Sequence, residues 1–364
     1  MSSSAEPSAL HVAKGVVKPE QVNADYVCRL KKLAPGQWSA EEYSERLLSQ
    51  DRTALSRAIT LVESTRPEHQ ELAQQIIEKC LPHAGNSIRI GITGVPGVGK
   101  STLIDVFGGF LTRQGHKVAV LAIDPSSERS KGSILGDKTR MEDLANNEKA
   151  FIRPSPSSGS LGGVARKTRE SIVLCEAAGF DIIIVETVGV GQSETAAHSM
   201  VDFFLLLQLS NAGDELQGIK RGIMEMADMI AINKSEGTNR GKAELAAAQY
   251  RNALHLFPPK ESQWFPPVVL CSAYTKEGLT DLWKHISDYV ALTKENGYFQ
   301  AHRDEQNIRL LKEAVEEKLL SLFYGNEKTA AAYALFKKKV HQNRISAYIA
   351  AQDLIDLYLR ENKQ

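Results

Sequence analysis

The chain has 364 residues, 42% hydrophobic and 24% charged, with Lys plus Arg and Asp plus Glu both at 44. That balance lacks the basic excess of a polyanion binder, so nucleic acid is not an expected partner. No apolar run approaches the ~20 residues of a membrane span, and the N-terminus lacks the apolar stretch of a signal peptide. No membrane partner is therefore expected, and the expected compartment is the cytoplasm. Cys28, Cys80, Cys175 and Cys271 lie far apart with no CxxC pair, which reads as reduced thiols rather than a disulfide framework or a thiolate zinc site.

Residues 1–38 carry scattered Pro and Gly with weak periodicity and read as a flexible arm. Residues 39–86 read as a helical segment. Ser39 followed by Glu42 has the form of a capping box, and Tyr43, Leu47, Leu48, Leu55, Ile59 and Val62 recur at helical spacing. A second helix over Glu68–Leu81 places Leu72, Ile76, Ile77 and Cys80 on one face. At Ser87 the period changes. Strands are expected at Ile88–Ile92, Val118–Ile123, Phe151–Arg153, Ile182–Val185, Phe203–Gln208, Met229–Ile232 and Val268–Cys271, alternating with amphipathic helices such as Ser101–Arg113. Buried strands alternating with helices imply an α/β domain over 87–290, with a mostly parallel sheet covered on both faces. Residues 291–364 return to a helical pattern. Ile308, Leu311, Val315, Leu319 and Leu322 line one face, a last helix follows around Ile345–Tyr358, and the tail reads as an αα extension. Its apolar face packs either on its own domain or on a second copy.

The strongest chemical signal is Gly94-Val95-Pro96-Gly97-Val98-Gly99-Lys100-Ser101-Thr102, a GxxxxGK[ST] P-loop between a strand and a helix. Its glycines let backbone N–H groups wrap phosphates, and the helix start adds its positive end. Lys100 neutralises the β- and γ-phosphates and the Ser101 hydroxyl takes a Mg²⁺ position. Glu186 ends the run Asp181–Val185 at the Walker B position, where a buried acid needs a metal or a partner. Asp124 ends another strand, either as a ligand or as a turn residue before Pro125. Asp137, in a polar loop, is a ligand or a solvated side chain. Gly189 and Gly191 suit a mobile switch, and Gln192 either orients water or is a surface polar residue. A second polar loop contains Asp214, Glu215 and Lys220.

Asn233-Lys234-Ser235-Glu236 follows a strand and resembles the guanine-reading NKxD, with Glu in place of Asp. The carboxylate accepts from guanine N1–H and N2–H₂, donors that adenine does not present. Taken alone, the tetrapeptide is also an ordinary strand-to-helix turn. Ser272-Ala273-Tyr274 stands where a loop touching guanine O6 is expected.

With these motifs in order, the chain resembles the MeaB/ArgK/MMAA family of P-loop GTPases from about Glu42 onward. The resemblance rests on GITGVPGVGKST (91–102), LAIDPSS (121–127), GSILGDKTRM (132–141), IRPSPSSGSLGGVARKTRE (152–170), IVETVGVGQSE (184–194) and DFFLLLQLSNAGDELQGIKRGI (202–223). It implies a SIMIBI-type G domain with a C-terminal dimerisation arm, slow Mg²⁺-dependent hydrolysis of GTP to GDP, and a homodimer. It also implies chaperoning of an adenosylcobalamin-dependent acyl-CoA mutase, typically methylmalonyl-CoA mutase. Lys100 and Ser101 match the P-loop pair, Asp124, Asp137 and Glu186 match Mg²⁺-site acids, and residues 189–194 and 209–220 match mobile switches. The departure is Glu236. Competing readings are a metal-delivery GTPase, which would want Cys/His clusters absent here, a P-loop kinase or ATPase of the kind once assigned to amino-acid transport, and a non-hydrolysing nucleotide-binding scaffold.

Overall fold

The computed structural model describes residues 38–123, 141–154, 161–187, 192–210 and 221–361. The apolar runs form a seven-stranded sheet of β1 (Ile88–Gly94), β2 (Val118–Ile123), β3 (Ala150–Arg153), β4 (Ile182–Thr187), β5 (Phe203–Leu209), β6 (Met229–Asn233) and β7 (Val268–Leu270). Its order is β3-β2-β4-β1-β5-β6-β7, and every pairing is parallel. Parallel strands need crossover connections, and helices covering both faces explain why these strands read as continuous apolar runs rather than alternating ones.

On one face, α4 (Lys100–Arg113) and α10 (Leu279–Glu295) bury Leu103, Phe107, Leu282 and Ile286 against Ile90, Ile184, Phe203 and Leu205. On the other, α9 (Arg240–Leu254) packs Ala243, Ala247 and Tyr250 on Leu206, Ile230 and Ile232. The alanines allow close approach, and Tyr250 fills the remaining depth. Among the described residues, three α-helices precede the sheet: α1 (Ala40–Leu48), α2 (Arg52–Glu63) and α3 (Pro67–Cys80). The periodicity over Tyr43–Val62 is thus carried by two helices. The chain breaks at Gln50, whose φ is 66°, and Asp51 caps α2 by accepting from Thr53 N and Ala54 N. These helices attach to α6 (Leu161–Ala177) and to β3. Gln74 Nε2 donates to Glu170 at 2.8 Å, Arg52 Nη2 donates to Ala150 O at 2.6 Å, and Arg153 pairs with Glu63. Cys80, Cys175 and Cys271 are buried free thiols.

The remaining short α-helices among the described residues are α5 (Glu142–Ala145), α7 (Gln192–His198) and α8 (Arg221–Met226). The C-terminal tail holds three helices, α11 (Tyr298–Gly325), α12 (Glu327–His341) and α13 (Ala347–Glu361), rather than the two expected. The sequence of α12, EKTAAAYALFKKKVH, is alanine- and lysine-rich and shows no apolar stripe, so periodicity does not reveal it. Asn326 starts it, with its side chain accepting from Lys328 N and Thr329 N.

The base of α11 is locked to the sheet by a buried pair. Arg303 Nε and Nη2 each donate to Asp202 at 2.7 Å, and Nη2 also donates to Ser87 O at 2.7 Å. The two side chains are 7% and 2% exposed. Removing one partner strands the other charge. Arg303→Met is therefore expected to lower unfolding stability by about 3–5 kcal/mol, and urea denaturation followed by circular dichroism measures it.

Candidate functional site

The site lies at the C-terminal end of the sheet, where parallel α/β folds bind ligands. Strand β1 ends at Gly94 and α4 begins at Lys100, so the residues between form a loop against the helix start. Two glycines in it are dictated by neighbours. A Cβ on Gly94 would stand 2.5 Å from Leu207 O, and Gly99, at φ 94°, would place one 2.8 Å from Asn233 Nδ2. Only a residue without a side chain fits either place.

Lys100 is 9% exposed and folds back on its own loop, donating to Gly94 O at 2.7 Å and Val95 O at 3.3 Å. Burial pushes its ammonium below its ordinary range, and the carboxylates of Glu186 and Glu194 oppose that shift. Ser101 Oγ donates to Glu186 Oε1 at 2.8 Å. Glu186 is 8% exposed, and its neighbour Thr187 donates to Thr93 at 2.8 Å, tying the tips of β4 and β1 together. A hydroxyl and a carboxylate within hydrogen-bond reach form an all-oxygen donor pair, the chemistry that suits Mg²⁺.

The Asn233–Glu236 turn is hydrogen-bonded to the P-loop. Asn233 is buried, donates through Nδ2 to Val98 O at 2.8 Å, and accepts at Oδ1 from Ala273 N at 3.2 Å. Lys234, at φ 58°, donates across to Gly97 O at 2.9 Å. Ser235 donates to Cys271 O at 2.9 Å, and Ser272 Oγ accepts from Thr275 N at 3.0 Å. Tyr274 is 86% exposed beside them. The Glu236 Oε2 atom is buried and has no hydrogen-bond partner among the described residues. An unmatched acceptor in a turn built by Asn233 and Ser235 is what a guanine edge, with two adjacent donors, would satisfy.

The profile of the family described as methylmalonyl Co-A mutase-associated GTPase MeaB matches residues 55–328. The chain belongs to the MeaB family. A putative GTPase of Caulobacter vibrioides is 50% identical over 315 residues, covering 86% of this chain and 96% of that one. The GTPase ArgK of Escherichia coli is 48% identical, with coverages of 84% and 92%. The mitochondrial methylmalonic aciduria type A homolog of Mus musculus is 44% identical, with coverages of 86% and 78%. A crystal structure described as LAO/AO transport system kinase superposes with a TM-score of 0.71 at 39% identity, covering 89% of this chain and 99% of that one. The chain is accordingly a GTPase that binds guanine nucleotide.

In this MeaB-family site, the structure brings together Lys100, Ser101, Glu186, Asn233, Lys234, Glu236, Ser272 and Ala273 around one loop. Asp124, Asp137, Gly189, Gly191, Asp214, Glu215, Lys220 and the Gln192 side chain lie outside the described residues. One residue of the site goes unassigned in sequence reasoning. Glu194, 2% exposed in the first turn of α7, faces the Lys100 charge. Its signal is its place in the GQSE segment that follows Glu186.

Asn233 holds the P-loop and the base-reading loop in one arrangement through hydrogen bonds that are out of solvent. Asn233→Ala is expected to weaken GDP binding roughly 10- to 100-fold, the equivalent of leaving about 1–3 kcal/mol of buried polar groups unmatched. Titration with a fluorescent GDP analogue checks this, with unchanged far-ultraviolet circular dichroism as the control.

Proposed function

We propose that the chain hydrolyses GTP with Mg²⁺ as a homodimeric switch that chaperones an adenosylcobalamin-dependent acyl-CoA mutase, with methylmalonyl-CoA mutase the first candidate. The observation that carries the reading is the family match over residues 55–328, whose description names association with that mutase. The built P-loop beside the Ser101–Glu186 pair supplies the chemistry.

Few groups are needed, because phosphoryl transfer is chiefly positioning and charge stabilisation. Lys100, resting on Gly94 O and Val95 O, would exchange those carbonyls for phosphate oxygens. Loop N–H groups and the start of α4 would hold the remaining charge. Ser101 and Glu186, joined by Asp124 and Asp137, would hold Mg²⁺. The ion would supply charge neutralisation across the phosphates. Gln192 would orient water, and Glu194 would keep Lys100 charged and positioned. Glu236 would read guanine through its unmatched oxygen.

The arm supports a dimer. Ile308, Leu311, Val315, Leu319 and Leu322 recur at spacings of three and four along α11 and are 49–70% exposed. Such a contiguous stripe on a long helix is what a self-complementary interface buries. At about 1 kcal/mol for each half-exposed side chain, burial on two copies yields roughly 10 kcal/mol. That matches the scale of the association cost, so two charges in the stripe suffice to undo it. Leu311→Glu with Leu319→Glu is expected to give a monomer by light scattering that still binds GDP.

The kinase reading draws on the name of the superposing crystal structure. Phosphate release from GTP and from ATP, each with and without a purified methylmalonyl-CoA-type mutase, separates the two. The expected outcome is GTP-selective release that the mutase accelerates. Comparable release from ATP, or phosphate appearing on an acceptor other than water, would move the assignment to the kinase reading. GTP-selective release that no mutase alters would remove the partner.

A further inference from the structure

A second concavity lies at the other end of the sheet, a cavity of about 560 Å³ bounded by Asp202 and Asp228, the residues that precede β5 and β6. That volume lies within the range of small-molecule sites. Its walls are largely aromatic, with Phe204, Phe257, Trp264, Tyr289 and Tyr298 facing it and prolines completing the loop between α9 and β7.

Its charges are already committed. Lys260 donates to Asp228 at 2.8 Å and to the carbonyls of Met226 and Ala227 at 3.1 and 2.7 Å. Asp202 is held by Arg303. Glu225 and Glu261, which also line the cavity, are exposed to solvent. Burial pushes His198 down to about 4, so its imidazole is neutral at neutral pH. Its ring contacts are Phe204 at 5.4 Å and His302 at 6.3 Å, with no hydrogen bond among the described residues. The Tyr289 hydroxyl, on a residue 3% exposed, has no hydrogen-bond partner among the described residues either. The unspent chemistry is therefore imidazole and phenol, from His198, Tyr289 and Tyr298 together with the exposed His255 ring stacked on Phe265, within an aromatic wall.

Two walls connect to the nucleotide site. His198 ends α7, the helix that begins at Gln192 directly after the 189–191 segment and carries Glu194. Gly222 and Met224 belong to α8, which directly follows 211–220. We propose that this cavity is a binding site for a small uncharged aromatic molecule bearing one hydrogen-bonding group, and that its occupancy alters GTP turnover through α7 and α8. Among the described residues that line it, anions find no unpaired lysine or arginine and meet Glu225 and Glu261, and cations find carboxylates that are paired or already solvated. The second half rests on reading 189–194 and 209–220 as switches, whereas binding itself needs no nucleotide, Mg²⁺ or mutase.

The test uses three probes of one shape and different charge: benzyl alcohol, benzoate and benzylammonium. The full chain is labelled with 5-fluorotryptophan, and Trp264 is assigned among the three tryptophans by Trp264→Phe. The expected result is a saturable ¹⁹F shift of the Trp264 resonance with benzyl alcohol, with a dissociation constant on the order of millimolar for a ligand of so few atoms, and none with benzoate. Gly222 offers a control, because a Cβ there meets nothing within 4 Å. Gly222→Phe is expected to fill the space and abolish the shift, and Tyr289→Phe, which leaves the packing intact, is expected to weaken it. Saturation is expected to change GTP turnover at least about threefold in the native chain and not in Gly222→Phe. No shift with any probe, or equal shifts with all three, overturns the site. Tighter binding of benzylammonium overturns the uncharged assignment. A saturable shift with unchanged turnover overturns the coupling alone.

Discussion

The structure turns on a lysine that cannot be solvated. Lys100 is buried at the head of α4, and its charge is costly there unless oxygen atoms surround it. The loop supplies its own carbonyls, Gly94 O and Val95 O, while Glu186 and Glu194 provide opposite charge. These groups come from three places: the end of β1, the end of β4 and the first turn of α7. A phosphate bound in the loop would compete with these contacts for the lysine, and such an exchange would bear on all three places at once.

The far end of α7 has a comparable knot. Arg169 in α6 donates to Ser199 O at 3.1 Å and Ser199 Oγ at 2.7 Å, just past the end of α7, and to Glu313 of α11 at 3.1 Å. Gln306 donates to Val201 O at 2.8 Å, and Arg303 holds Asp202. The segment from Ser199 to Asp202 is therefore gripped by α6 and α11 together, immediately before β5. A displacement of α7 from its Glu194 end would either shift this grip, and with it α11, or bend the seven residues of the helix.

Much of this was legible in the sequence because burial on both faces leaves an unmistakable pattern. The strand Val118–Ile123 is apolar at every position, and its limits in the structure match those read from the sequence. The P-loop residues and Asn233 were identifiable because their chemistry demands those residue types at fixed order. The break at Gln50–Asp51 was not, because apolar spacing continues across it and only the Asp51 cap betrays the new helix. Helix α12 escaped because it lacks the stripe that periodicity detects. Glu194 was visible as part of GQSE but not as a buried acid, since burial of a short helix depends on which strands lie beneath it. The same applies to the aromatic cavity, whose residues come from segments between 198 and 302 that only the fold brings together.

The substitution at the base-reading turn can be argued further. In NKSE the backbone is pinned on both sides, by Asn233 to Val98 O and Ala273 N and by Ser235 to Cys271 O. It cannot retreat to make room for a longer side chain. The extra methylene of Glu236, relative to an aspartate, is therefore left to the side chain itself, whose Oε2 is buried with no partner among the described residues. Leaving that oxygen unmatched costs about 1–3 kcal/mol, which a guanine edge would return and an adenine edge would not. A longer carboxylate in a fixed turn would then not by itself relax base choice. Discrimination would depend on how fully guanine satisfies an acceptor that has no partner among the described residues.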